Sequence, residues 1–315
     1  MVAARMAETR LDKEPRGLYE PIEYCLKNGG KRIRPLMTLL GCEMFGGRAE
    51  EALSPAIGLE LFHNFTLMHD DIMDQAPIRR GQPAVHVKWD TNTAILSGDV
   101  LFARAYEYML DVPDHCLRQV MELFSRTVIE VCEGQQYDMD FEKTGRVTEA
   151  EYLEMIRLKT AVLPAACLKA GAIVAGAPAV DAEKIYRFGE SVGLAFQLRD
   201  DWLDAFGDEA LFGKKSGGDI VANKKTWLYI KAWELSAPAQ RQELDRAYSG
   251  AISDPDTKIG RVMGIFNSLG IRELAIQAME THYQRAFEAL DAIEAPAGPK
   301  ENLRMLAQSL FDRAH

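Results

Sequence analysis

The spacing of the apolar residues restricts the fold of this chain more than any other feature of the sequence. They recur at intervals of three and four almost from end to end, as in Leu18, Ile22, Cys25 and Leu26. This spacing places apolar side chains on one face of a helix. No convincing run of alternating apolar and polar residues, which would indicate a strand, interrupts the pattern. The sequence therefore predicts an all-α fold.

Glycines, prolines and capping residues divide this pattern into separate helices. The predicted helices cover approximately 18–26, 34–46, 52–74, 93–110, 114–142, 148–159, 164–175, 181–206, 224–235, 239–249, 256–269, 272–293 and 301–313. Loops are predicted at 75–83 and 207–218. Lys159 and Thr160 stand at the head of a helix that we expect Pro164 to break.

The length of 315 residues allows one large domain or two. No segment rich in proline, glycine and serine marks a domain boundary. We predict one helical domain over residues 1–315, with residues 1–16 as a mobile N-terminal segment.

The composition of the chain restricts the molecules that it can bind and the compartment in which it works. A formal net charge of −10 argues against binding to nucleic acid, although metal ions can still bring a phosphorylated small substrate to an acidic protein. The five cysteines contain no CxxC pair, and the N-terminus has no secretory apolar core, which predicts reduced thiols and a cytoplasmic location. The apolar run 161–180 contains Lys169 and two prolines, so we predict no membrane span.

Two aspartate clusters of identical spacing stand out against this background. Each reads DDxxD and follows apolar helical sequence: Asp70, Asp71 and Asp74, then Asp200, Asp201 and Asp204. In a helix, the first and last aspartates lie one turn apart on one face, where like charges repel unless a cation binds. Mg²⁺ suits such oxygen ligands, together with substrate phosphates. One cluster alone could be a solvated helix face, but the pair predicts a magnesium–diphosphate site.

Basic and glycine-rich segments accompany both clusters. They are Gly29–Pro35, Arg79–Pro83, Lys159–Thr160 and Gly213–Thr226. Arginine binds phosphate with a two-pronged fork, lysine supplies a point charge, and glycine lets backbone N–H groups come close. Each segment alone reads as a solvated loop, whereas their occurrence with two acidic clusters favours diphosphate binding.

In this order, the segments resemble the motif set of the trans-isoprenyl diphosphate synthases, also called the polyprenyl synthetases. The matching segments are Gly29–Pro35, Asp70–Asp74 with Arg79–Arg80, Lys159–Thr160, Phe196–Gln197 with Asp200–Asp204, and Gly213–Thr226. They span residues 29–226, and the paired DDxxD with GGKRxRP is highly specific. The resemblance implies a bundle around a deep central cavity, usually a homodimer. It also implies head-to-tail condensation of isopentenyl diphosphate with an allylic diphosphate such as dimethylallyl, geranyl or farnesyl diphosphate.

The resemblance assigns roles to individual residues. Asp70, Asp74 and Asp200 would be the main ligands of about three Mg²⁺ ions, with Asp71, Asp201 and Asp204 in support. Those that would hold the allylic diphosphate are Arg79, Lys159, Lys214 and Lys224. Those that would hold isopentenyl diphosphate are Lys31, Arg34, His63 and Arg80. Thr160 and Gln197 would lie near the developing cation, and the catalytic set would be Lys159, Thr160, Gln197 and Lys214.

Two positions leave alternatives open. His63 could instead be a hydrogen-bonded core histidine, and Glu60 with His63 has the spacing of half a di-iron site, although the sequence has no second ExxH. The family's C-terminal basic residue has no clear counterpart, Arg313 being the nearest candidate.

Product length depends on what blocks the growing chain in the helix below Asp70. Residues four and five positions earlier lie about 6 to 7.5 Å deeper, and here they are Thr66 and Phe65, with Phe62 a further turn down. By resemblance to the family, a single aromatic at this level implies a C20 (geranylgeranyl) product rather than a C15 (farnesyl) product. More distant alternatives are a terpene cyclase, which would not need Lys31 and Arg34, and a non-catalytic synthase subunit, which would commonly lack one acidic cluster.

Overall fold

The computed structural model of the protein describes residues 1–7, 13–207 and 216–312. The first helices in chain order are α1 (Val2–Ala7), α2 (Arg16–Lys27), α3 (Ile33–Glu43), α4 (Leu53–Met73), α5 (Val85–Lys88) and α6 (Thr91–Leu110). The next are α7 (Asp114–Lys143), α8 (Glu149–Ile156), α9 (Val162–Val174), α10 (Ala179–Phe206), α11 (Gly218–Val221), α12 (Trp227–Leu235), α13 (Pro238–Tyr248), α14 (Pro255–Ser268), α15 (Ile271–Asp291) and α16 (Ala297–Asp312). The all-α prediction is confirmed, and every predicted helix is present to within a few residues.

The segment predicted as a loop after α4 contains a small β-hairpin. Strand β1 (Ile78–Arg79) pairs antiparallel with β2 (Gln82–Pro83), with Arg79 opposite Gln82. The turn residues Arg80 and Gly81 both have positive φ, at 53° and 74°. This geometry belongs to a two-residue turn that matches the twist of the strands. Strands of two residues are too short to produce alternation in a sequence, so the prediction of a plain loop was wrong.

Pro164 does not break its helix, contrary to the prediction. A π-helical turn, Arg157–Ala161, joins α8 to α9, and Pro164 lies inside α9. In the π turn the N–H of Val162 donates to the carbonyl of Arg157, five residues earlier. The wider turn relieves the clash that a proline ring would otherwise make with the carbonyl four residues before it. Lys159 and Thr160 therefore belong to the π turn.

The chain divides into two compact units. The first comprises Met1–Ser125 and Ala166–Glu183, and the second comprises Arg126–Ala165 and the described residues from Lys184 onward. The prediction of a single domain stays a prediction. In the first unit α4 is the central element, and Phe62, Ile57 and Leu59 are fully or almost fully buried.

Close approach of α4 and α6 depends on a glycine. A Cβ atom at Gly58 would lie 2.9 Å from Sδ of Met109 and 3.0 Å from the carbonyl oxygen of Ala105. A side chain here would have to displace the Met109 side chain and press on the Ala105 carbonyl, so glycine favours packing of the two helices at this distance.

The core of the second unit is built around the C-terminal half of α10. Leu198 and Trp202 pack there with residues of α12, α14 and α15, among them Trp227, Val262 and Ile271. This packing fixes the rotation of α10 about its axis. Because side chains on a helix turn by 100° per residue, it also decides which aspartates of the second cluster point inward.

The predictions of no membrane span and of reduced cysteines can be compared with the structure. No helix among the described residues has both the length and the apolar character needed to cross a membrane. All five cysteines lie in the described part of the chain, and each is a free thiol.

Candidate active site

The first aspartate cluster occupies the last turn of α4. The N–H of Asp74 donates to the carbonyl of Asp70 at 2.8 Å, so the helical register continues through the cluster. This register places Asp70 and Asp74 on one face, as the spacing predicts. Asp74 is exposed, Asp70 is half-buried and Asp71 is buried. Asp71 therefore points away from the face that the other two share.

Arg79 on β1 accounts for the inward position of Asp71. Its Nε donates to Oδ1 of Asp71 at 2.8 Å, and its Nη2 lies 3.8 Å from Oδ2 of Asp70. Burial raises the pKa of Asp71, and the contact with Arg79 opposes this rise. The hairpin thus holds a guanidinium against the acidic cluster. Arg79 therefore lies beside both Asp70 and Asp71.

A second group of arginines surrounds His63 in the middle of α4. Burial lowers the pKa of His63 well below 6.5, and the charges of Arg34, Arg80, Arg79 and Arg32 lower it further. His63 is therefore neutral at pH 7 and can donate only one ring N–H. The buried Nε of Arg34 has no hydrogen-bond partner within the part of the chain that the structure describes. A buried arginine donor without a partner is suited to an anion.

The glycine pair before Lys31 makes room for Arg80. The Arg80 guanidinium donates to the carbonyl of Gly29, and a Cβ on Gly30 would lie 3.1 Å from Cζ of Arg80. Gly29 and Gly30 have φ of 81° and 134°, which glycine adopts readily. The structure therefore brings Arg34, His63 and Arg80 together, while Lys31 lies exposed in the adjoining turn.

Arg32 has a structural role that separates it from its neighbours. Its Nη1 donates to Oε1 of Glu60 at 2.5 Å and its Nη2 to the carbonyl of Leu26 at 2.7 Å. Glu60 is almost fully buried, and this ion pair neutralises it. The carboxylate that would form half of a di-iron site is thus paired with an arginine.

The second aspartate cluster repeats the pattern of the first on α10. Asp200 is exposed and Asp201 is buried. Asp204 is half-buried, and its Oδ2 accepts from the N–H of Asp219 at 2.9 Å, at the start of α11. Asp204 therefore anchors the end of the predicted loop 207–218. Lys214 in this loop lies outside the described residues. Lys224 follows α11, and its N–H donates to the carbonyl of Asp219 at 2.9 Å.

Asp201 lies in a hydrogen-bonded network that the sequence analysis missed in part. The hydroxyl of Tyr152 donates to Oδ2 of Asp201 at 2.5 Å, and Nε2 of Gln197 donates to Oδ1 at 3.1 Å. Oγ1 of Thr160 in turn donates to Oε1 of Gln197 at 3.2 Å. Burial raises the pKa of Asp201 and the charges of Asp219 and Asp200 add to the rise, whereas the hydrogen bonds from Tyr152 and Gln197 favour the carboxylate and oppose it. No sequence signal points to Tyr152, which is 49 positions from Asp201.

The π turn carries Lys159 and Thr160 between two glycines. A Cβ at Gly134 of α7 would lie 2.7 Å from Cα of Lys159, and one at Gly193 of α10 would lie 2.6 Å from Cα of Ala161. Backbone therefore packs directly on backbone on both sides of the turn. Nζ of Lys159 donates to Oδ2 of Asp138 at 2.5 Å.

The residues predicted to control product length belong to an aromatic cluster in the first unit. Phe62 is fully buried and Phe65 is half-buried. Their rings contact Phe102 of α6 with centroids 6.0 and 4.9 Å away. Tyr106 and Phe124 complete the cluster. The Thr66 hydroxyl donates to the carbonyl of His63 at 2.8 Å.

The donor set of the clusters fits Mg²⁺. Among the described residues no three His, Cys, Asp or Glu side chains converge on a complete metal site. Mg²⁺ does not require one, because it keeps several waters and binds through one or two carboxylates plus substrate phosphates. Asp70 and Asp74 on one helix face, with oxygen as the only ligand atom, match that requirement.

An all-α fold with paired carboxylates on helix faces is typical of enzymes that act on diphosphates with the help of Mg²⁺. Residues 15–265 match the model of the polyprenyl synthetase family. The chain belongs to this family, and the predictions of the family and of a prenyltransferase are confirmed.

Three similar proteins give the extent of the match. A short chain isoprenyl diphosphate synthase of Methanothermobacter thermautotrophicus is 38% identical, over 100% of this chain and 96% of its own. A geranylgeranyl diphosphate synthase of Methanosarcina mazei is 46% identical, over 70% of this chain and 68% of its own. A crystal structure of a geranylgeranyl pyrophosphate synthase superposes with a TM-score of 0.93 at 43% identity, covering 99% of this chain and 97% of the other.

Proposed function

We propose that the protein condenses isopentenyl diphosphate head to tail with allylic diphosphates and releases mainly the C20 product, geranylgeranyl diphosphate. The polarity of α4 is the observation that carries this proposal. Its C-terminal turn holds Asp70 and Asp74, its middle holds His63 among arginines, and its body holds the buried ring of Phe62. A prenyl diphosphate has a charged head and an apolar tail, so its binding site needs a polar end followed by an apolar surface.

In the first unit, the group around His63 would bind isopentenyl diphosphate. The Nε of Arg34, which has no hydrogen-bond partner among the described residues, and the adjacent Arg80 supply donors for phosphate oxygens. Neutral His63 adds an N–H without adding a charge. Lys31, which is exposed beside them, supplies a mobile charge for the same diphosphate.

The allylic diphosphate would be held through the aspartates and the remaining basic residues. Asp70, Asp74 and Asp200 are the proposed ligands of Mg²⁺, and Asp204 lies one turn beyond Asp200. When bound, Mg²⁺ would act as a Lewis acid that stabilises the departing diphosphate. Lys159 and Lys224 would neutralise further charge, as would Lys214, which lies outside the described residues.

The aromatic cluster would exclude water from the carbocation and limit the chain. Phe65 and Phe102 stack at the level about 7.5 Å below Asp70, and Phe62 closes the next turn. Apolar rings at this depth would protect a cation that water would otherwise quench. A product that stops at C15 is the alternative if these rings block the chain earlier.

We further propose a homodimer that works in the cytoplasm. Helix α6 exposes Ile95 and Leu96, whose side chains are 39% and 57% accessible, and Leu110 at its end. A second copy packed on this face would bury them. The free thiols support a reducing compartment.

The test is consumption of isopentenyl diphosphate in the presence of farnesyl diphosphate and Mg²⁺. Chelation of the metal should abolish it, and Asp70→Asn and Asp200→Asn should each reduce kcat by about a hundredfold or more. Asp245→Asn, an exposed aspartate on α13, is the matched control and should retain activity. A terpene cyclase or a non-catalytic subunit would leave isopentenyl diphosphate untouched.

A further inference from the structure

Four side chains of the second unit form one continuous chain of hydrogen bonds. It runs from Tyr152 to Asp201, from Asp201 to Gln197 and from Gln197 to Thr160, with distances of 2.5, 3.1 and 3.2 Å. We infer that Tyr152 is a positioning residue, which acts through Asp201 to fix the Gln197 amide with its oxygen towards Thr160. This inference rests on the proposed function, in which Thr160 and Gln197 lie beside the developing allylic cation.

The direction of each hydrogen bond supports this assignment. The Gln197 amide has a donor end and an acceptor end, and only its NH₂ group can donate to a carboxylate oxygen. Both oxygens of Asp201 act as acceptors, one for Gln197 and one for Tyr152. The amide oxygen is then left to face Thr160, where its partial negative charge would stabilise a cation. A reversed amide would present its NH₂ group instead and would destabilise that cation.

Tyr152 can serve as a fixed donor because its side chain is buried and its hydroxyl already donates to Asp201. Its side chain is 3% exposed and packs with Met155, Leu198 and Trp202. Burial raises the pKa of Tyr152 well above 10, and the Tyr152 hydroxyl donates to Oδ2 of Asp201. Helix α8 is itself fixed at its start, where Thr148 and Glu151 form a capping box.

The other end of the chain is equally rigid. Thr160 lies in the π turn, and Gly193, which packs against that turn, is on the same helix as Gln197 and Asp201. A site held on packed helices keeps its geometry better than one on loops. The inference also divides the second cluster by role, because Asp201 has both oxygens occupied and Asp200 is exposed. Asp201 would orient Gln197, and Asp200 would face the metal.

The first experiment is a double-mutant cycle between Tyr152→Phe and Gln197→Ala, read out as kcat and KM. Tyr152→Phe should lower kcat about tenfold, through loss of one hydrogen bond to a carboxylate, and leave both KM values within about twofold. In the Gln197→Ala background the same change should have almost no effect, because the group that it positions is gone. Tyr229→Phe, another buried tyrosine of the same core, should leave kcat and KM unchanged.

The second experiment measures the binding of Mg²⁺ with inorganic diphosphate by calorimetry and does not depend on turnover. Asp201→Asn keeps the shape of the side chain but gives it a donor, which should turn the Gln197 amide around. We expect kcat to fall about tenfold while Mg²⁺–diphosphate affinity is retained, whereas Asp200→Asn should weaken that affinity. This pair decides the question even if Tyr152→Phe does not fold.

The inference is overturned if Tyr152→Phe leaves kcat unchanged, or if its effect is the same with and without Gln197. It is also overturned if Asp201→Asn weakens Mg²⁺–diphosphate binding as much as Asp200→Asn does. Failure of the proposed function would give a different result, because the wild-type protein would then consume no isopentenyl diphosphate at all.

Discussion

The ring of Phe102 stacks on the ring of Phe65, with their centroids 4.9 Å apart and their planes inclined by 20°. Phe65 comes from α4 and Phe102 from α6, so the aromatic surface below Asp70 is built by two helices. Stacked rings hold each other in place and are worth more than their buried area alone. A growing prenyl chain that reaches this level would therefore meet a rigid obstacle.

Removal of either ring should lengthen the product. We expect Phe65→Ala and Phe102→Ala each to shift the main product beyond C20, because each opens a cavity that the other ring cannot fill. Chromatography of the products made from farnesyl diphosphate measures this shift. Phe287→Ala on α15 is the control and should leave the length unchanged. An unchanged length in both cluster variants would show that the stack is not the floor.

The fit of Arg80 against Gly30 gives a prediction for substrate affinity. Gly30→Ala would place a methyl group 3.1 Å from Cζ of Arg80 and would strain a backbone with φ of 134°. We expect the KM for isopentenyl diphosphate to rise about tenfold with little change in kcat, since binding and not chemistry is affected. Gly17→Ala, which has open space around it, should leave KM unchanged. An unaltered KM in Gly30→Ala would exclude Arg80 from this subsite.

The packing of the π turn predicts a large difference between two glycines of the second unit. Gly134→Ala should lower the free energy of unfolding by about 1–3 kcal/mol, because the new methyl group meets the backbone of Lys159. Gly264→Ala in α14 has nothing within 4 Å and should raise it by about 0.4–1 kcal/mol. Denaturant unfolding of both variants provides the measurement, and equal effects would contradict the close contact.

The lowered pKa of His63 predicts how the free energy of unfolding depends on pH. The pKa of His63 lies below 6.5 in the folded protein and at about 6.5 in the unfolded chain. Between these two pKa values the unfolded chain binds a proton that the folded chain does not. The stability that neutral His63 contributes is complete above pH 6.5 and declines as the pH falls below it. The difference in unfolding free energy between wild type and His63→Gln should therefore shrink by up to about 1.4 kcal/mol per pH unit. A difference that stays flat from pH 8 to pH 5 would show that His63 titrates normally.

The helices and the aspartate clusters could be predicted because their signals are local. Apolar spacing, a glycine pair and a DDxxD sequence all lie within one or two helical turns. The hairpin was missed because its strands have two residues each. The π turn was missed because a proline inside a helical pattern usually indicates a break. The packing of the turn between Gly134 and Gly193, which are far away in the sequence, leaves no local signal.

The partners of the site residues were beyond prediction for the same reason. Nothing in the order of residues links Tyr152 to Asp201 or Phe102 to Phe65. The separate roles of adjacent aspartates also depend on the rotation of each helix, which the core decides. Asp71 and Asp201 point inward, while Asp74 and Asp200 face solvent.

The central claim is tested most directly by the product spectrum of the purified protein with Mg²⁺, isopentenyl diphosphate and, in turn, dimethylallyl, geranyl and farnesyl diphosphates. We predict that all three are extended and that product accumulates at C20. Accumulation at C15 would leave the condensation intact and contradict the place of the floor. If isopentenyl diphosphate is consumed in none of the mixtures, the two aspartate clusters serve another reaction and the proposed function is wrong.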